Sequence, residues 1–339
     1  MKFDGLEAEV HRHLEKTLPA EFRSRNGGIL VPTDLRTPDE VWERTLQSNV
    51  AAKGAELIAS GTGEFIELLR SQAMVVRLGA RVLTGLSSPI GFPKQTGGVT
   101  AVWVGENPAA DVADSDLALG IITMAPKTLQ ASTGFSRQLL VQGSPNAEVM
   151  VRTDITEQHS RSIDKAAIHG LGAAGQPLGI YNAPDVNAVA MAGNVSFGEL
   201  VDMVTAVGED NAAVGALGYL TTVAMAGKLK QALIAASAGS DMIWTGPLDD
   251  GRIAGFRAAA TTQVSKTMSG SSETGGSEHG IIFGNWAEVI IGLFSTLELI
   301  TDPFRLKKRG IIEVTSFQMA DLILRHGESF AKSTGATLA

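Results

Sequence analysis

The chain has 339 residues, a formal net charge of −8 and 44% hydrophobic residues. This apolar content suffices for one large or two modest cores and excludes a disordered chain, yet no apolar stretch approaches the roughly 20 residues of a membrane span. The lack of cysteine excludes a disulfide scaffold, a thiol nucleophile and a cysteine-ligated metal site, and the acidic balance opposes strong binding to nucleic acid.

The first 50 residues differ from the rest of the chain, because 16 of them are charged. Pro19, Pro32 and Pro38 interrupt helix formation around one short helical stretch. We interpret residues 1–60 as a charged N-terminal arm or leader outside the core, and a solvated tail is the equal alternative.

Short runs of β-branched and apolar residues between glycines and prolines predict strands after Met74, beginning with Val75 and Val76. An acidic segment, residues 106–116, separates two of these runs and is too long for a tight hairpin turn. We therefore predict an extended two-stranded excursion over about residues 92–127.

A long helix is predicted next, with Ser144 as its N-cap and Pro145 as its first residue. It ends at Gly170, so about 25 residues would span roughly 37 Å. Apolar residues recur on one face at spacings of three and four, and His159 among them is predicted to be a hydrogen-bonded core residue. The other members of this face are Val151, Ile155, Ile163, Ala166 and Ala167.

Beyond residue 195, helices and strands alternate. Ser196 and Glu199 form a capping-box pattern that opens a helix. A strand is predicted at 218–222 and a helix at 223–237, whereas residues 266–280, rich in serine and glycine, predict a flexible surface loop. Residues 253–264 are predicted to form a strand pair or a loop, and further strands are predicted at 281–283, 289–294, 297–300 and 311–317. This order of elements predicts an α+β fold with two lobes.

Residues 170–175 match the dinucleotide-binding pattern G-x-G-x-x-G. That motif requires a strand before it and a helix that begins within it, so that the pyrophosphate meets a helix N-terminus. Here a predicted helix precedes the glycines, and we interpret the segment as a helix C-cap and a structural turn built on Gly170, Gly172, Pro177 and Gly179. A nucleotide-dependent enzyme that uses these glycines is the alternative of a different class.

Other catalytic patterns are incomplete. The Ser-x-x-Lys pattern of Ser162 and Lys165 lacks both of its companion motifs. The six histidines are scattered, and no P-loop, His-Glu-x-x-His or Gly-x-Ser-x-Gly occurs. We therefore predict no enzyme, and no catalytic, metal-binding or cofactor-binding residues.

One dense basic cluster occupies residues 305–309. A solvated turn between two strands is one interpretation, and a contact with the acidic segment of another subunit is the other. The candidates for subunit contacts are Trp103, Glu106, Asp111, Asp114, Asp116, Arg305, Lys307, Lys308 and Arg309.

Four short segments accompany the long helix and the glycine turn in a defined order: Trp103–Glu106 (WVGE), Ala125–Leu129 (APKTL), Ser136–Leu140 (SRQLL) and Phe283–Trp286 (FGNW). In this order they resemble the major capsid proteins of tailed double-stranded-DNA bacteriophages, the Hong Kong 97 type. The similarity covers about residues 60–330.

The resemblance implies a Hong Kong 97-like capsid fold with an N-arm, an extended E-loop hairpin, a P-domain with a long spine helix, and an A-domain. The implied divisions are an arm at 1–60, a P-domain at 61–184 with the E-loop at about 92–127 and the spine helix at about 145–169, an A-domain at 185–295, and return strands of the P-domain with a C-terminal tail at 296–339.

The resemblance also implies a structural protein that self-assembles into the pentamers and hexamers of an icosahedral head enclosing double-stranded DNA. Its partners would be copies of itself, scaffold and portal proteins, and packaged DNA contacted weakly and non-specifically, with no membrane. It would assemble in the host bacterial cytoplasm and end in the virion. An encapsulin-type shell, which encloses protein cargo, is the alternative.

Within this family, the founding member joins its subunits by an isopeptide bond between an E-loop lysine and a P-domain asparagine. In the present sequence no lysine lies between Lys94 and Lys127, and no asparagine follows Asn285. We therefore predict a shell without this cross-link. The length of the arm also implies either a separate scaffold or a leader that has been removed.

Overall fold

Two β-sheets and a separate hairpin organise the protein in this computed structural model, which describes residues 73–103, 116–138, 147–235 and 240–338. The predicted arm and the predicted helix cap at Ser144 and Pro145 lie outside the described residues. The described strands are β1 (Arg81–Leu83), β2 (Ile90–Gly97), β3 (Ala118–Met124), β4 (Lys127–Ser136), β5 (Asn187–Asn194), β6 (Leu217–Thr222), β7 (Gly251–Ile253), β8 (Phe256–Thr261), β9 (Ile281–Asn285), β10 (Val289–Leu293), β11 (Glu298–Asp302), β12 (Ile311–Leu324) and β13 (Phe330–Thr337). The described α-helices are α1 (Met74–Leu78), α2 (Ala147–His169), α3 (Phe197–Glu209) and α4 (Val223–Leu229).

The larger sheet has six strands in the order β5-β13-β9-β6-β8-β7. All five residues of β9 are buried, because successive side chains enter different cores on the two faces of the sheet. Ile282 joins one hydrophobic cluster, whereas Ile281 and Phe283 join the other. A strand that is covered on both faces needs apolar residues at consecutive positions, and the sequence of β9 begins with such a run.

The second sheet has five strands and is organised by the long strand β12. Strands β10 and β11 pair antiparallel with successive parts of β12, and β4 pairs with it from Ile311 to Ala320. Strand β1 adds to β10 in parallel. Strand β12 therefore joins the segment after the hairpin to the C-terminal part of the chain.

Helix α2 lies against the second sheet through the predicted apolar face. Ile155 is buried with Phe135 of β4 and Val314 of β12. His159 is also buried, and its Nε2 atom lies 2.7 Å from the Ser316 hydroxyl, so the predicted core histidine is confirmed. The helix and its buried face are thus as the sequence predicts.

Helix α3 begins with the predicted capping box. The Ser196 hydroxyl accepts a hydrogen bond from the Glu199 amide at 3.3 Å, and the Glu199 carboxylate accepts one from the Ser196 amide at 2.8 Å. Tyr219 of β6 donates its buried hydroxyl to the Leu200 carbonyl at 2.7 Å. These bonds fix the first turn of α3 over the six-stranded sheet.

Two predicted elements are wrong in type or length. Val75 and Val76 lie in helix α1 and not in a strand, because the Asp164 carboxylate accepts the Val75 amide hydrogen and holds the helix end. The helix predicted at 223–237 ends at Leu229. The chain then doubles back, and the Ile243 amide bonds the Ala232 carbonyl at 3.0 Å.

The serine- and glycine-rich segment 266–280 is more ordered than a flexible surface loop. Met268 is buried in the core, and its backbone exchanges two hydrogen bonds with Glu278. Strands β5 and β13 were not predicted at all. Strand β13 pairs with β5 and β9 in the six-stranded sheet, whereas β11 and β12 belong to the five-stranded one.

Candidate subunit-contact surfaces

The two-stranded excursion predicted at 92–127 is a hairpin of β2 and β3, paired antiparallel from Ile90 and Met124 to Gly97 and Ala118. One of its faces is anchored to the rest of the chain. Phe92 packs there in a small cluster built on buried Met124. The register of the hairpin therefore brings every second residue toward its own core.

The other face of the hairpin is apolar and exposed. Leu119 and Ile121, two positions apart on β3, are 69% and 73% exposed, and Leu117 just before the strand is 53% exposed. Alternate residues share one face of a strand, so these side chains form a continuous row. Large apolar side chains in such a row mark an interaction surface.

The described part of the two-stranded excursion contains two of the predicted contact residues. Trp103 is fully exposed, with a relative accessibility of 101%, and Asp116 is also exposed. Glu106, Asp111 and Asp114 lie outside the described residues. Their role at a subunit contact stays a prediction.

The basic cluster lies in a turn between β11 and β12. A single 3-10 turn covers Lys307–Arg309, and its three side chains are exposed. Arg305 differs from them, because its guanidinium binds the Glu313 carboxylate at 2.5 and 2.7 Å. Phe304 beside it is 73% exposed. All four basic side chains of the cluster are thus exposed next to one aromatic ring, and Arg305 alone among them is held by Glu313.

The glycine turn follows helix α2 directly. Gly170 donates to the Ala166 carbonyl at 2.9 Å, which ends the helix, and its carbonyl accepts the Gly179 amide at 2.8 Å. Gly172 has a φ of +69° and donates to the Pro177 carbonyl at 3.0 Å. The turn therefore closes the end of a helix, which is the reverse of the dinucleotide-binding arrangement.

Close backbone approach explains the glycines at the two ends of this turn. A Cβ atom on Gly170 would collide with the carbonyl oxygens of Pro177 and Ala166. A Cβ atom on Gly179 would collide with the Gly170 amide nitrogen. Asn182 reinforces the junction by donating to the carbonyls of both His169 and Gly170 at 3.0 Å.

Two buried ionisable side chains tie helix α2 to its surroundings. Burial raises the pKa of Asp164 to about 6, although the carboxylate accepts the Val75 amide hydrogen at 2.8 Å. Burial lowers the pKa of His169 to about 4. The His169 ring accepts the Ser265 amide hydrogen at 3.0 Å and stacks on Tyr181 at 5.1 Å.

A partly buried ion pair fixes the base of the hairpin. Lys127 lies 2.9 Å from the buried carboxylate of Asp321 on β12, and the same carboxylate accepts the Ala125 amide hydrogen at 3.0 Å. Sequence reasoning missed both Asp164 and Asp321. Only Lys127, inside a segment singled out for its resemblance, offered a signal for this pair.

Two cavities flank helix α2, and the first of them lies beside the glycine turn. One has a volume of about 420 Å³ and contains Lys127, His169 and Asp321 among its walls. The other, about 820 Å³, lies between the helix and the segment that follows β8. Over the described ranges, no group of three or more acidic or histidine side chains is arranged to hold a metal ion.

Comparison with known proteins shows the family of the chain. Residues 58–335 match the phage capsid family. The chain belongs to this family. It is 28% identical over 331 residues to a major capsid protein of Halomonas phage phiHAP-1. The alignment covers 98% of this chain and 47% of that protein. A major capsid protein of Klebsiella oxytoca phage phiKO2 is 33% identical over 134 residues, 39% of this chain and 31% of that protein.

The chain spans less than half the length of these two phage capsid relatives. The matched family is a family of structural capsid proteins, and the matches favour a phage capsid over an encapsulin. No described helix is long and apolar enough to cross a membrane.

Solved capsids share the fold. The capsid of a native GTA particle aligns with a TM-score of 0.68 at 19% identity over 86% of this chain and 100% of that one. The capsid of Myoviridae phage XM1 aligns at 0.61 and 14% over 83% and 98%, and Gordonia phage Cozz at 0.61 and 17% over 85% and 94%. The α+β phage capsid fold expected from the sequence is confirmed.

Proposed function

We propose that this chain is a shell subunit that assembles with copies of itself, as pentamers and hexamers, into the icosahedral head of a phage. The observation that carries the proposal is the exposed apolar row of the hairpin, Leu117, Leu119 and Ile121. Covering such a row with a neighbouring subunit would gain roughly 25 cal/mol for each Å² of apolar surface removed from water.

In the proposed shell the hairpin lies over a neighbouring subunit, with Trp103 seated in the contact. The acidic segment that includes Asp116 meets the basic side chains of Lys307–Arg309 on another copy. Exposed ion pairs contribute little one by one, but a shell closes many contacts at once, and their effects combine.

The same proposal assigns the parts of the chain and their partners. Residues 61–184 and 296–339 supply a P-domain, and 185–295 supply the A-domain that meets the symmetry axes. Scaffold and portal proteins assist assembly in the host cytoplasm, and DNA is packed inside with weak contacts. Burial, strand pairing and charge hold the shell without a lysine–asparagine cross-link.

Removing the apolar row from the full-length chain tests the proposal. The double variant Leu119→Ser and Ile121→Ser should fold as the wild type does but yield at least about tenfold fewer closed shells, because about 1.4 kcal/mol lost at a contact is a factor of ten. Electron microscopy and sedimentation count the shells, and circular dichroism checks the fold. Thr123→Ser, on the same exposed face of β3, is the matched control.

Closed shells at the wild-type yield from the double variant would contradict this role for the hairpin. A wild-type chain that remains monomeric under all assembly conditions would contradict the proposed function as a whole.

A further inference from the structure

The larger cavity beside helix α2 is a groove whose chemistry the shell contacts do not use. Its volume is about 820 Å³, and its walls come from the middle of α2, the start of α4 and the segment after β8. Concave sites of this volume are typical of ligand-binding sites. The lining chemistry therefore indicates what the groove can hold.

Three basic side chains line this groove, which we name the basic groove: Arg161, Lys165 and Lys266. Arg161 and Lys165 are four residues apart on α2 and so share one face of the helix. Lys266 stands on the segment after β8 and is exposed. Gathering three cations on two different elements creates a local positive potential within an acidic chain.

Hydroxyl groups supply most of the remaining polar lining. Hydroxyls donate to phosphate oxygens, and together with lysine and arginine they make most of the contacts that proteins form with nucleic-acid backbones. The hydroxyl-bearing residues of the basic groove are Ser162, Thr222, Thr261, Thr262, Ser265 and Thr267.

A carboxylate of the chain itself already occupies part of the basic groove. Lys165 binds Glu273 at 2.6 Å, and the two side chains are 49% and 34% exposed. An ion pair this exposed contributes little stability, so an incoming anion can replace the carboxylate at Lys165. Glu273 thus marks a position where an anionic oxygen is already bound.

Arg161 retains unused hydrogen-bonding capacity. Its Nε atom is buried and has no hydrogen-bond partner within the part of the chain that the structure describes, and one terminal nitrogen donates to the Gln158 side chain at 3.4 Å. Guanidinium groups bind phosphate with two parallel donors, a stronger arrangement than a single neutral bond.

We propose that the basic groove binds the phosphate backbone of nucleic acid, with Arg161, Lys165 and Lys266 as its cationic contacts and Glu273 as a competing internal anion. The inference rests on the proposed function only for the source of the nucleic acid, which is the DNA enclosed by the shell. The net charge of −8 keeps this binding weak, so packed DNA remains releasable.

Binding of a fluorescently labelled DNA duplex to unassembled full-length subunits at low salt tests the inference. The double variant Arg161→Gln and Lys266→Gln should weaken binding about tenfold. It should also make the negative slope of log K against log salt less steep by about 2. Glu273→Gln should tighten binding several-fold, because it removes the competing carboxylate. Lys307→Gln with Lys308→Gln, which removes the same charge outside the groove, should change affinity less than about twofold.

Four results would overturn the inference: no binding by the wild type, equal binding by the groove variant, equal weakening by both double variants, or unchanged binding by Glu273→Gln. Inorganic phosphate should compete only at far higher concentration than DNA, and competition at equal phosphate concentration would instead indicate a site for the free ion. Preferential binding of a peptide covering residues 104–117 would make the groove a subunit contact. Shells formed by the wild type without DNA binding would overturn this inference alone and leave the proposed function standing.

Discussion

Strands β9 and β3 use the same kind of residue in opposite ways. In β9 all five residues are buried, because the six-stranded sheet has a hydrophobic cluster on each face. In β3 the side chains alternate between a covered face that ends at Met124 and an exposed face with Leu119 and Ile121. An apolar strand sequence thus predicts a face that can be covered, but it does not predict whether the covering surface belongs to the same chain.

The difference has an energetic meaning. A side chain buried within the chain stabilises the subunit, whereas in the proposed shell a side chain on the open face of the hairpin stabilises association and not the subunit itself. The body should therefore lose stability on mutation, and the hairpin should lose assembly. Three predictions test this division, from the largest expected effect on the free energy of unfolding to the smallest.

Truncating an aromatic side chain in the body should have the largest effect. Phe283 is fully buried, with its ring 4.5 Å from that of Tyr219 and 5.3 Å from that of Phe256. Phe283→Ala should lower the free energy of unfolding by about 3–5 kcal/mol, through lost burial and a cavity. Ile121→Ala on the hairpin should change it by less than about 0.5 kcal/mol. Urea denaturation of unassembled subunits measures both.

Similar losses from these two substitutions would mean that the hairpin row is part of the subunit core, and the division would fail.

Adding a methyl group to a glycine should have the next largest effect. Gly170→Ala forces the new Cβ against two backbone carbonyls, which cannot move without opening the turn, and should cost about 2–4 kcal/mol. Gly120→Ala in β3 places its Cβ 3.2 Å from the end of the Thr96 side chain, which can rotate away. It should cost less than about 1 kcal/mol. Thermal and urea unfolding report both.

Equal losses of stability from Gly170→Ala and Gly120→Ala would contradict the close backbone approach at this helix end.

The smallest of the three effects concerns buried charge in the body. Asp164, with a pKa raised to about 6, binds a proton more tightly when folded, so its contribution grows as pH falls and is lost as pH rises through about 6. His169, with a pKa lowered to about 4, contributes stability above its ordinary pKa that is lost on acidification toward pH 4. The two contributions oppose each other between pH 4 and 6.5.

Asp164→Asn keeps an acceptor for the Val75 amide and removes only the titration. Between pH 7 and 4.5 this variant should lose about 2 kcal/mol more stability than the wild type, because the effect of His169 is no longer offset. Denaturant unfolding across this pH range checks the result, and Asp116→Asn, at an exposed carboxylate, is the matched control. Parallel pH profiles for Asp164→Asn and the wild type would show that Asp164 does not titrate in this range.

Local patterns predicted the elements whose stability is local. The apolar face of α2, the capping box of Ser196 and Glu199, and the turn at Gly170 each depend on residues close in sequence. Strand β5 was missed because it forms by parallel pairing with β13, more than a hundred residues away. Helix α1 was mistaken for a strand because the carboxylate that holds it, Asp164, lies 89 residues from Val75.

The candidate surfaces divide in the same way. The sequence located the two-stranded excursion, the acidic and basic segments and the glycine turn, because charge and turn chemistry are written in consecutive residues. It missed the Lys127–Asp321 pair and the basic groove, whose members come from elements far apart in the chain.

By itself, then, the sequence determined the α+β class, the long helix with its buried face and the family resemblance, since periodicity and motif order are properties of the chain alone. Only the tertiary structure decided which apolar rows are covered, which charges are buried and where cations converge. Burial is set by non-local strand pairing, and the partner of a given residue cannot be read from its neighbours in sequence.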